Sequence, residues 1–370
     1  MRGVKRNILL NPGPATTTDT VKMALVVPDI CPREKEFGSL FQGIRRDLVR
    51  IVKGGRNYTA VPFGGSGTAV MDSVINSVVP PGKKIAVIVN GAYGARMVSI
   101  AKTYKIRCVE LNFKSGGKID LSRVEQVLRS DRNIRCVAAV HHETTTGILN
   151  PISEIGKIAK KHRQVYIVDA ISSYAAVPIN INACNIDFLL STANKCIQGM
   201  AGIAFIICRK SELEKIKGYS PRSFYLNLYN QYRHLEETGQ TPFTPPVQVA
   251  YALKQAIKEY FAEGGLNRFR RYTESWRILR KGLLDLGFFL LHKEEDESHI
   301  LLTVMEPDDK KFNFDVLHDY LYAKGFTIYP GKIGSMNTFR LANMGAIDKQ
   351  DMRKFLKVLA GALARMGVRH

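Results

Sequence analysis

The sequence lacks any apolar run of the ~18 residues that a helix needs to cross a lipid bilayer. Its basic N-terminus contains only the short apolar stretch from Ile8 to Leu10, which is too short for the core of a signal peptide. We therefore expect a cytoplasmic protein that does not insert into a membrane.

Cysteine is also scarce. The six cysteines include no CxxC pair and no metal-ligand spacing with the eight histidines. Several lie inside apolar runs, such as Cys136 in "IRCVAAV" and Cys208 in "FIIC". This placement is typical of small core residues in a reducing compartment. The sequence thus predicts neither a disulfide framework nor a bound metal.

Acidic residues are few: 33 Asp and Glu stand against 54 Lys and Arg, which gives a formal net charge of +21. Such an excess is one mark of a nucleic-acid-binding protein. The basic residues are dispersed, however, and the densest stretch, residues 267–288, has apolar residues at helical spacing. These apolar residues are Phe269, Trp276, Leu279 and Leu283. The pattern predicts a helix with a solvated basic face.

The sequence carries no helix-turn-helix, zinc-finger or aromatic RNA-binding signature. We therefore expect no nucleic-acid partner, and a basic nucleic-acid-binding protein on an enzyme scaffold is a distant alternative. The positive charge would instead help to attract small anionic substrates.

The first two-thirds of the chain alternate short apolar runs with amphipathic helical patterns. The runs are rich in β-branched residues and span 84–90, 107–113, 135–141, 164–170 and 186–191. Near-continuous apolar strands separated by helices indicate a parallel sheet that is covered on both faces. The sequence therefore predicts an α/β domain.

The pattern changes after residues 241–248, where a long helical stretch is followed by short strands. We expect three parts: an N-terminal segment, 1–15, that packs near the active site; a large cofactor-binding domain, 16–248; and a small α+β C-terminal domain, 249–370. At 45% hydrophobic residues, the chain can form both cores.

Polar residues follow several of the predicted strands. In an open parallel sheet the ligand binds at the carboxyl ends of the strands. Asp169 ends "QVYIVD", Lys195 follows "IDFLLS" and Tyr93 follows "KIAVIVN". The segment "GGSGT", residues 64–68, precedes an amphipathic helix. Its glycines let the backbone approach an anion, and the helix N-terminus offers free N–H groups.

Each feature alone has a simpler interpretation. Asp169 could cap a helix, the glycines could form a plain turn, and Lys195 could reach water along its own stem. Together they suit the chemistry of pyridoxal phosphate. That cofactor needs an anion cradle for its phosphate, a carboxylate for its ring nitrogen, a lysine for its aldehyde and an aromatic ring to stack on it.

Motifs along the chain resemble, in the same order, those of the class V aminotransferases of fold type I. They run from about residue 8 to residue 345 and include "LLNPGPATTT", "GGSGTAV", "NGAYGARM", "HHETTTGILNP", "YIVDAISS", "STANKCIQG", "FTPP" and "FRLANMG". Within the family, "NGAYGARM", "ETTTG" and "NKCIQG" are similar to the branch that transaminates 2-aminoethylphosphonate with pyruvate.

The resemblance implies the fold type I of pyridoxal-phosphate-dependent transferases. This fold has a mostly parallel seven-stranded sheet covered by helices in the large domain and a smaller α+β C-terminal domain. The resemblance also implies pyridoxal 5'-phosphate as the cofactor and a homodimer with a shared active site. Lys195 would form the Schiff base and carry the proton, and Asp169 would pair with the ring nitrogen.

The resemblance assigns the remaining site residues as well. These are Tyr93 for ring stacking, Ser66, Gly67 and Thr68 for the cofactor phosphate, Thr144 or Thr146 for the ring edge, Thr244 for the phosphate of the neighbouring subunit's cofactor, and Arg340 for the acid group of the substrate. Arg340 could instead form a structural ion pair, and Lys332 is a weaker candidate.

The implied reaction interconverts 2-aminoethylphosphonate and pyruvate with phosphonoacetaldehyde and L-alanine by a ping-pong mechanism. It is reversible, so the sequence leaves a role in phosphonate breakdown or synthesis open. Another class V transaminase, of the alanine–glyoxylate or serine–pyruvate type, would share every cofactor residue. A cysteine desulfurase is excluded, because no cysteine follows Cys208.

Overall fold

The structure is a computed structural model that describes residues 6–368. In that range the α-helices are α1 (Asp19–Met23), α2 (Lys35–Ile51), α3 (Gly67–Val78), α4 (Ala92–Thr103), α5 (Leu121–Ser130), α6 (Ile152–Lys161), α7 (Lys210–Ile216), α8 (Leu228–Thr238), α9 (Val247–Glu263), α10 (Gly265–Asp285), α11 (Phe314–Ala323) and α12 (Lys349–Met366). The β-strands are β1 (Ile8–Leu9), β2 (Tyr58–Gly65), β3 (Lys84–Val89), β4 (Arg107–Asn112), β5 (Ile134–Val140), β6 (His142–Glu143), β7 (Ile148–Leu149), β8 (Val165–Asp169), β9 (Phe188–Thr192), β10 (Gly202–Arg209), β11 (Leu301–Met305), β12 (Phe326–Thr327), β13 (Tyr329–Ile333) and β14 (Met336–Ala342).

The central sheet has seven strands in the order β2-β10-β9-β8-β5-β3-β4. Strand β10 is antiparallel to both of its neighbours, and the remaining pairs are parallel. The predicted mostly parallel seven-stranded sheet is therefore confirmed. The five strands predicted from apolar runs all occur, as β3, β4, β5, β8 and β9.

The first apolar core lies between this sheet and the helices that cover it. The interior strands are apolar along both faces; every residue of β9, for example, is buried. Helix α2 has the complementary pattern, because its buried apolar residues recur every three or four positions. They are Phe37, Phe41, Ile44, Leu48 and Val49.

A second apolar core lies between α10, α11 and α12 and the antiparallel sheet β11-β14-β13. Ile8 and Leu10 belong to it, and β1 pairs with β12 in parallel. The chain then leaves this core toward the central sheet, where the N–H of Ala15 donates to the carbonyl of Asn194 over 2.9 Å. The N-terminal segment therefore bridges the two cores.

Helix α9 packs on the first core through Ala250, Leu253 and Ile257, although it lies in the predicted small domain. The predicted long helix is two helices that are separated at Gly264, where φ is +81°. Glycine adopts this backbone conformation without the steric penalty of a side chain. We therefore propose Gly264, rather than residue 248, as the boundary between the two domains.

The basic stretch 267–288 forms most of α10, and its face is only partly solvated. Arg268 is buried, with a 2.6 Å ion pair to Glu263, and Arg271 pairs with the same carboxylate at 2.7 Å. The predicted helix with a solvated basic face therefore occurs, but only some of its basic residues, such as Arg270, Arg277 and Lys281, are exposed. The guanidinium groups of Arg268 and Arg271 stabilise the packing of α10 against neighbouring elements.

Over residues 6–368, no helix combines the length and hydropathy of a bilayer span. The same range contains no group of three His, Cys, Asp or Glu side chains arranged to hold a metal ion. All six cysteines are free thiols, and Cys136, Cys196 and Cys208 are buried.

Candidate active site

Lys195 lies in the turn that follows β9, which is closed by a 2.8 Å hydrogen bond from the N–H of Gly199 to the carbonyl of Ala193. Its Nζ donates to the carbonyl oxygen of Pro12. A Cβ at Gly13 would lie 2.1 Å from this Nζ and displace it, and the φ of +118° at Gly13 also favours glycine. Burial lowers the pKa of Lys195, which increases the fraction of neutral, nucleophilic amine.

Asp169 is the last residue of β8 and is 3% exposed. It lies beside Val140 of β5 and Leu190 of β9. Its Oδ1 accepts a 2.8 Å hydrogen bond from the N–H of Ile171, and its Oδ2 bonds to no other described residue. Desolvation raises the pKa of Asp169 to about 7, while Lys195 acts to lower it. Such a carboxyl can share a proton with a basic nitrogen.

The glycine-rich loop connects β2, which ends at Gly65, to α3, which begins at Gly67. Ser66 is the N-cap residue, and its side chain makes no capping hydrogen bond. A Cβ at Gly67 would lie 2.9 Å from Cδ1 of Ile171, and Gly65 has a φ of +155°. The backbone conformation at Gly65 favours glycine, a Cβ at Gly67 would displace the Ile171 side chain, and the loop presents backbone N–H groups that suit a phosphate.

Arg96 of α4 lies beside this loop and was not predicted from the sequence. Its Nη1 donates to Oγ1 of Thr68 over 3.2 Å, and its guanidinium carbon lies 4.8 Å from the centroid of the Tyr93 ring. It thus links the loop to the predicted stacking residue and adds a positive charge. The motif "NGAYGARM" contained the signal, since residues three apart share one face of a helix.

Glu143 is a second residue that the sequence did not single out. It is fully buried, and its Oε2 accepts a 3.1 Å hydrogen bond from the N–H of Tyr93. Its Oε1 accepts a 2.6 Å bond from the hydroxyl of Thr145. A Cβ at Gly91 would lie 2.1 Å from Cγ of Glu143, so Gly91 leaves room for this carboxyl. Glu143 therefore caps the first turn of α4 and fixes the backbone of Tyr93.

Thr144 and Thr146 are both buried next to Glu143. The Thr146 hydroxyl lies 3.3 Å from the Glu143 carbonyl oxygen, to which it donates. The Thr146 carbonyl accepts a 2.8 Å bond from the hydroxyl of Thr303 in β11. These bonds connect the loop to the second core. Contact of Thr144 or Thr146 with a cofactor ring stays a prediction.

His141 and His142 lie at the end of β5, where Ser173 and Ser172 pair with their Nδ1 atoms at 2.9 and 3.0 Å. Burial lowers the pKa of each histidine to about 3, so both rings are neutral near pH 7. The Nε2 of His142 is buried without a partner among the described residues. The two serines thus hold the imidazoles.

Arg340 is a half-buried residue of β14 and lies opposite Thr303 and Tyr329 in the neighbouring strands. No carboxylate of residues 6–368 pairs with it, and its Nε is buried without a hydrogen-bond partner. Burial lowers the pKa of Arg340, while Tyr93 and Glu143 act to raise it. The structure therefore contains no structural ion pair at this arginine.

Thr244 and Lys332 form no hydrogen bond or ion pair with these groups among the described residues. Thr244 is exposed in the loop between α8 and α9. Lys332 is exposed in β13, where its charge acts to lower the pKa of Glu306.

The remaining predicted residues meet at one edge of the central sheet. Strands β2, β3, β8 and β9 run in the same direction, so the segments that follow them lie side by side. Electrostatic effects on pKa link Asp169 with Lys195 and Arg96, and Arg340 with Tyr93. The site combines an anion cradle, a buried amine, a buried carboxyl and an unpaired guanidinium.

The sequence and the fold are similar to those of known aminotransferases. The model of the aminotransferase class-V family matches residues 23–346. In solved structures, the fold is similar to ureidoglycine–glyoxylate aminotransferase from Bacillus subtilis, with a TM-score of 0.90 at 21% identity over 99% of this chain and 95% of that one.

Two curated relatives are similar in sequence over almost all of this chain. The 2-aminoethylphosphonate–pyruvate transaminase of Syntrophobacter fumaroxidans is 41% identical over 362 residues, 97% of this chain and 97% of that protein. The bifunctional phosphonoacetaldehyde hydrolase/aminoethylphosphonate transaminase of Clostridioides difficile is 40% identical over 355 residues, 95% of this chain and 56% of that protein.

Proposed function

The chain belongs to the class V aminotransferases, and from that premise we propose that it exchanges an amino group between 2-aminoethylphosphonate and pyruvate. The products are phosphonoacetaldehyde and L-alanine. Arg340 is the observation that carries the proposal, because its half-buried guanidinium has no carboxylate partner among the described residues. An anionic group of the substrate would supply that partner.

The cofactor is pyridoxal 5'-phosphate, and the residues of the site fit it. The loop of Ser66, Gly67 and Thr68 suits the phosphate, because it forms the N-terminus of α3 and offers backbone N–H groups there. Asp169 suits the ring nitrogen, since its Oδ2 is free of other bonds within the described residues. When bound, the cofactor supplies an aldehyde that takes up the amine and a ring that stabilises the electrons of the broken C–H bond.

We propose that Lys195 moves the proton in both half-reactions. Its lowered pKa favours a neutral Nζ, which can take a proton from the carbon that bears the amino group. The Pro12 carbonyl accepts a hydrogen bond from the same Nζ and so restricts where the amine points. As a carboxylate, Asp169 would pair with the protonated ring nitrogen and so favour a proton at that atom.

Arg340 would bind the acid group of each substrate in turn. A planar guanidinium binds a phosphonate or a carboxylate by donating paired hydrogen bonds, so one residue can serve both half-reactions. Tyr93 would stack on the cofactor ring. Glu143 holds the Tyr93 backbone, and the guanidinium carbon of Arg96 lies 4.8 Å from the centroid of the Tyr93 ring.

The quaternary structure and location are also proposals. Thr244 is exposed on its own chain, which is compatible with a role at the cofactor phosphate of a neighbouring subunit. We propose a homodimer with a shared active site that works in the cytoplasm. The direction of the reaction in the cell would depend on which partner enzymes supply and remove phosphonoacetaldehyde.

The absorption spectrum of the purified protein tests the proposed function. We expect a yellow protein whose visible band disappears with 2-aminoethylphosphonate and returns with pyruvate. Alanine and serine are added in parallel as comparison amino donors. A band that responds only to alanine or serine would favour a sister transaminase. A protein that stays colourless with added pyridoxal phosphate would contradict the role of Lys195.

A further inference from the structure

Tyr272 of α10 lies where two parts of the site meet. Its side chain is fully buried in a small apolar cluster that includes Cys196 and Ala342. Cys196 directly follows Lys195, and Ala342 lies two residues after Arg340. The Tyr272 ring therefore fills the space between the lysine turn and the strand that carries the arginine.

The Tyr272 hydroxyl bonds to both of these segments. It accepts a 2.7 Å hydrogen bond from Nε2 of Gln198, a residue of the lysine turn. It also accepts a 3.1 Å bond from the N–H of Gly345, just beyond β14. The backbone carbonyl of Tyr272 accepts a further 2.8 Å bond from Nδ2 of Asn343. One tyrosine thus joins the turn and the strand directly.

The lysine turn depends on such anchors. Gln198 has a φ of +67°, which is unfavourable for a residue with a side chain, so other contacts must hold it there. Arg268, one helical turn before Tyr272, donates from Nη1 to the carbonyl of Cys196 over 3.0 Å. Helix α10 therefore holds the turn at two points.

We propose that Tyr272 is a positioning residue that fixes the turn carrying Lys195 against the strand carrying Arg340. The proposal rests on the proposed function, in which one substrate spans both groups. A substrate of fixed length needs a fixed separation between them, and small displacements of bound substrate lower the rate strongly.

Tyr272→Phe tests the proposal, because it removes one oxygen and leaves two buried donors without an acceptor. Tyr58→Phe is the matched control. Tyr58 is 3% exposed, and its hydroxyl donates to the Ile186 carbonyl over 2.8 Å at the opposite end of β2 from the glycine-rich loop.

The first measurement is hydrogen exchange of the cofactor-loaded enzyme, followed by mass spectrometry. In Tyr272→Phe we expect peptides covering 193–199 and 343–346 to take up deuterium at least about fivefold faster. Tyr58→Phe should leave both segments as in the parent enzyme. Gln198→Met removes only the bond on the lysine side, so it should loosen 193–199 alone.

The second measurement is steady-state kinetics. For 2-aminoethylphosphonate and for pyruvate, we expect kcat/KM of Tyr272→Phe to fall about tenfold or more below that of Tyr58→Phe. Both substrates should be affected, because both span from Lys195 to Arg340.

Unchanged exchange in either segment, or a kcat/KM within twofold of Tyr58→Phe, would overturn the role of Tyr272. If Tyr272→Phe does not fold, the deuterium uptake of 193–199 in Gln198→Met tests the proposal instead. Uptake no faster than in the parent enzyme would then overturn the role of Tyr272. If the parent enzyme does not convert 2-aminoethylphosphonate, the proposed function fails by itself, and the exchange data alone decide the role of Tyr272.

Discussion

At the scale of single residues, burial controls which groups of the site carry charge. Asp169 is 3% exposed, and desolvation raises its pKa from 3.8 to about 7 in the protein without cofactor. The same effect lowers the pKa of Lys195. In the cofactor-free protein, burial therefore favours the uncharged form of both groups.

The raised pKa of Asp169 predicts how the stability of the cofactor-free protein changes with pH. Below about pH 4 the carboxyl is protonated in both states. As the pH rises, the unfolded chain releases this proton first, so stability falls until the folded pKa of about 7 is passed. Relative to Asp169→Asn, wild type should lose up to about 1.4 kcal/mol of unfolding free energy per pH unit between pH 5 and 7.

Urea denaturation of both cofactor-free proteins at several pH values measures this difference. The variant is the control for every other titrating group, including the two buried histidines, whose lowered pKa values act in the opposite direction. A difference that stays constant from pH 5 to 7 would contradict the raised pKa of Asp169.

At the scale of secondary-structure elements, α4 depends on a carboxylate from another part of the chain. Glu143 accepts hydrogen bonds from the N–H of Tyr93 and from the hydroxyl and N–H of Thr145. An amide in its place would turn an NH₂ group toward one of these donors. We expect Glu143→Gln to lower the free energy of unfolding by about 1–3 kcal/mol.

Glu154→Gln is the control for Glu143→Gln, because Glu154 is an exposed residue in the first turn of α6. Its effect should stay within about 0.5 kcal/mol. Denaturant titration measures both variants. Equal stability of the two variants would show that Glu143 does not cap α4.

Some secondary-structure elements could be predicted from the sequence and others could not. The strands were predicted correctly because residues buried on both faces form near-continuous apolar runs. The break between α9 and α10 was missed, although the pair Gly264 and Gly265 signalled it. Apolar periodicity continues on both sides of that pair, so the pattern alone resembled one long helix.

At the scale of the whole molecule, the excess of positive charge is partly internal. The ion pairs of Arg268 and Arg271 with Glu263 lie in the packing of α10, in the most basic stretch of the chain. A charge of +21 can still raise the local concentration of doubly charged phosphonates, because long-range attraction acts on diffusing anions.

The proposed shared site predicts complementation between two inactive chains. Lys195→Ala removes the amine, and Thr244→Glu would place a negative charge at the phosphate of the neighbouring subunit's cofactor. A mixed dimer has one site with both residues intact. Since random mixing gives about half mixed dimers, we expect about a quarter of wild-type activity.

Co-expression with two affinity tags, followed by the transaminase assay, measures this recovery. The two parent variants, each expressed alone, are the controls. Activity of the mixture no higher than that of the parents would contradict a site built from two chains.

The sequence by itself determined the strands of the central sheet, the polar residues that follow those strands and the candidate cofactor residues. These features depend on the local apolar pattern and on short motifs. Tertiary structure alone decided the contacts of Glu143, Arg96 and Tyr272. The hydrogen bonds from Arg96 to Thr68, from Tyr93 to Glu143 and from Gln198 to Tyr272 join residues 28 to 74 positions apart. No local pattern signals these three bonds, whereas the contact of Arg96 with Tyr93 lies within one motif. Burial arises only when the chain folds. The raised pKa of Asp169 and the lack of a partner for Nε of Arg340 among the described residues therefore depend on tertiary structure.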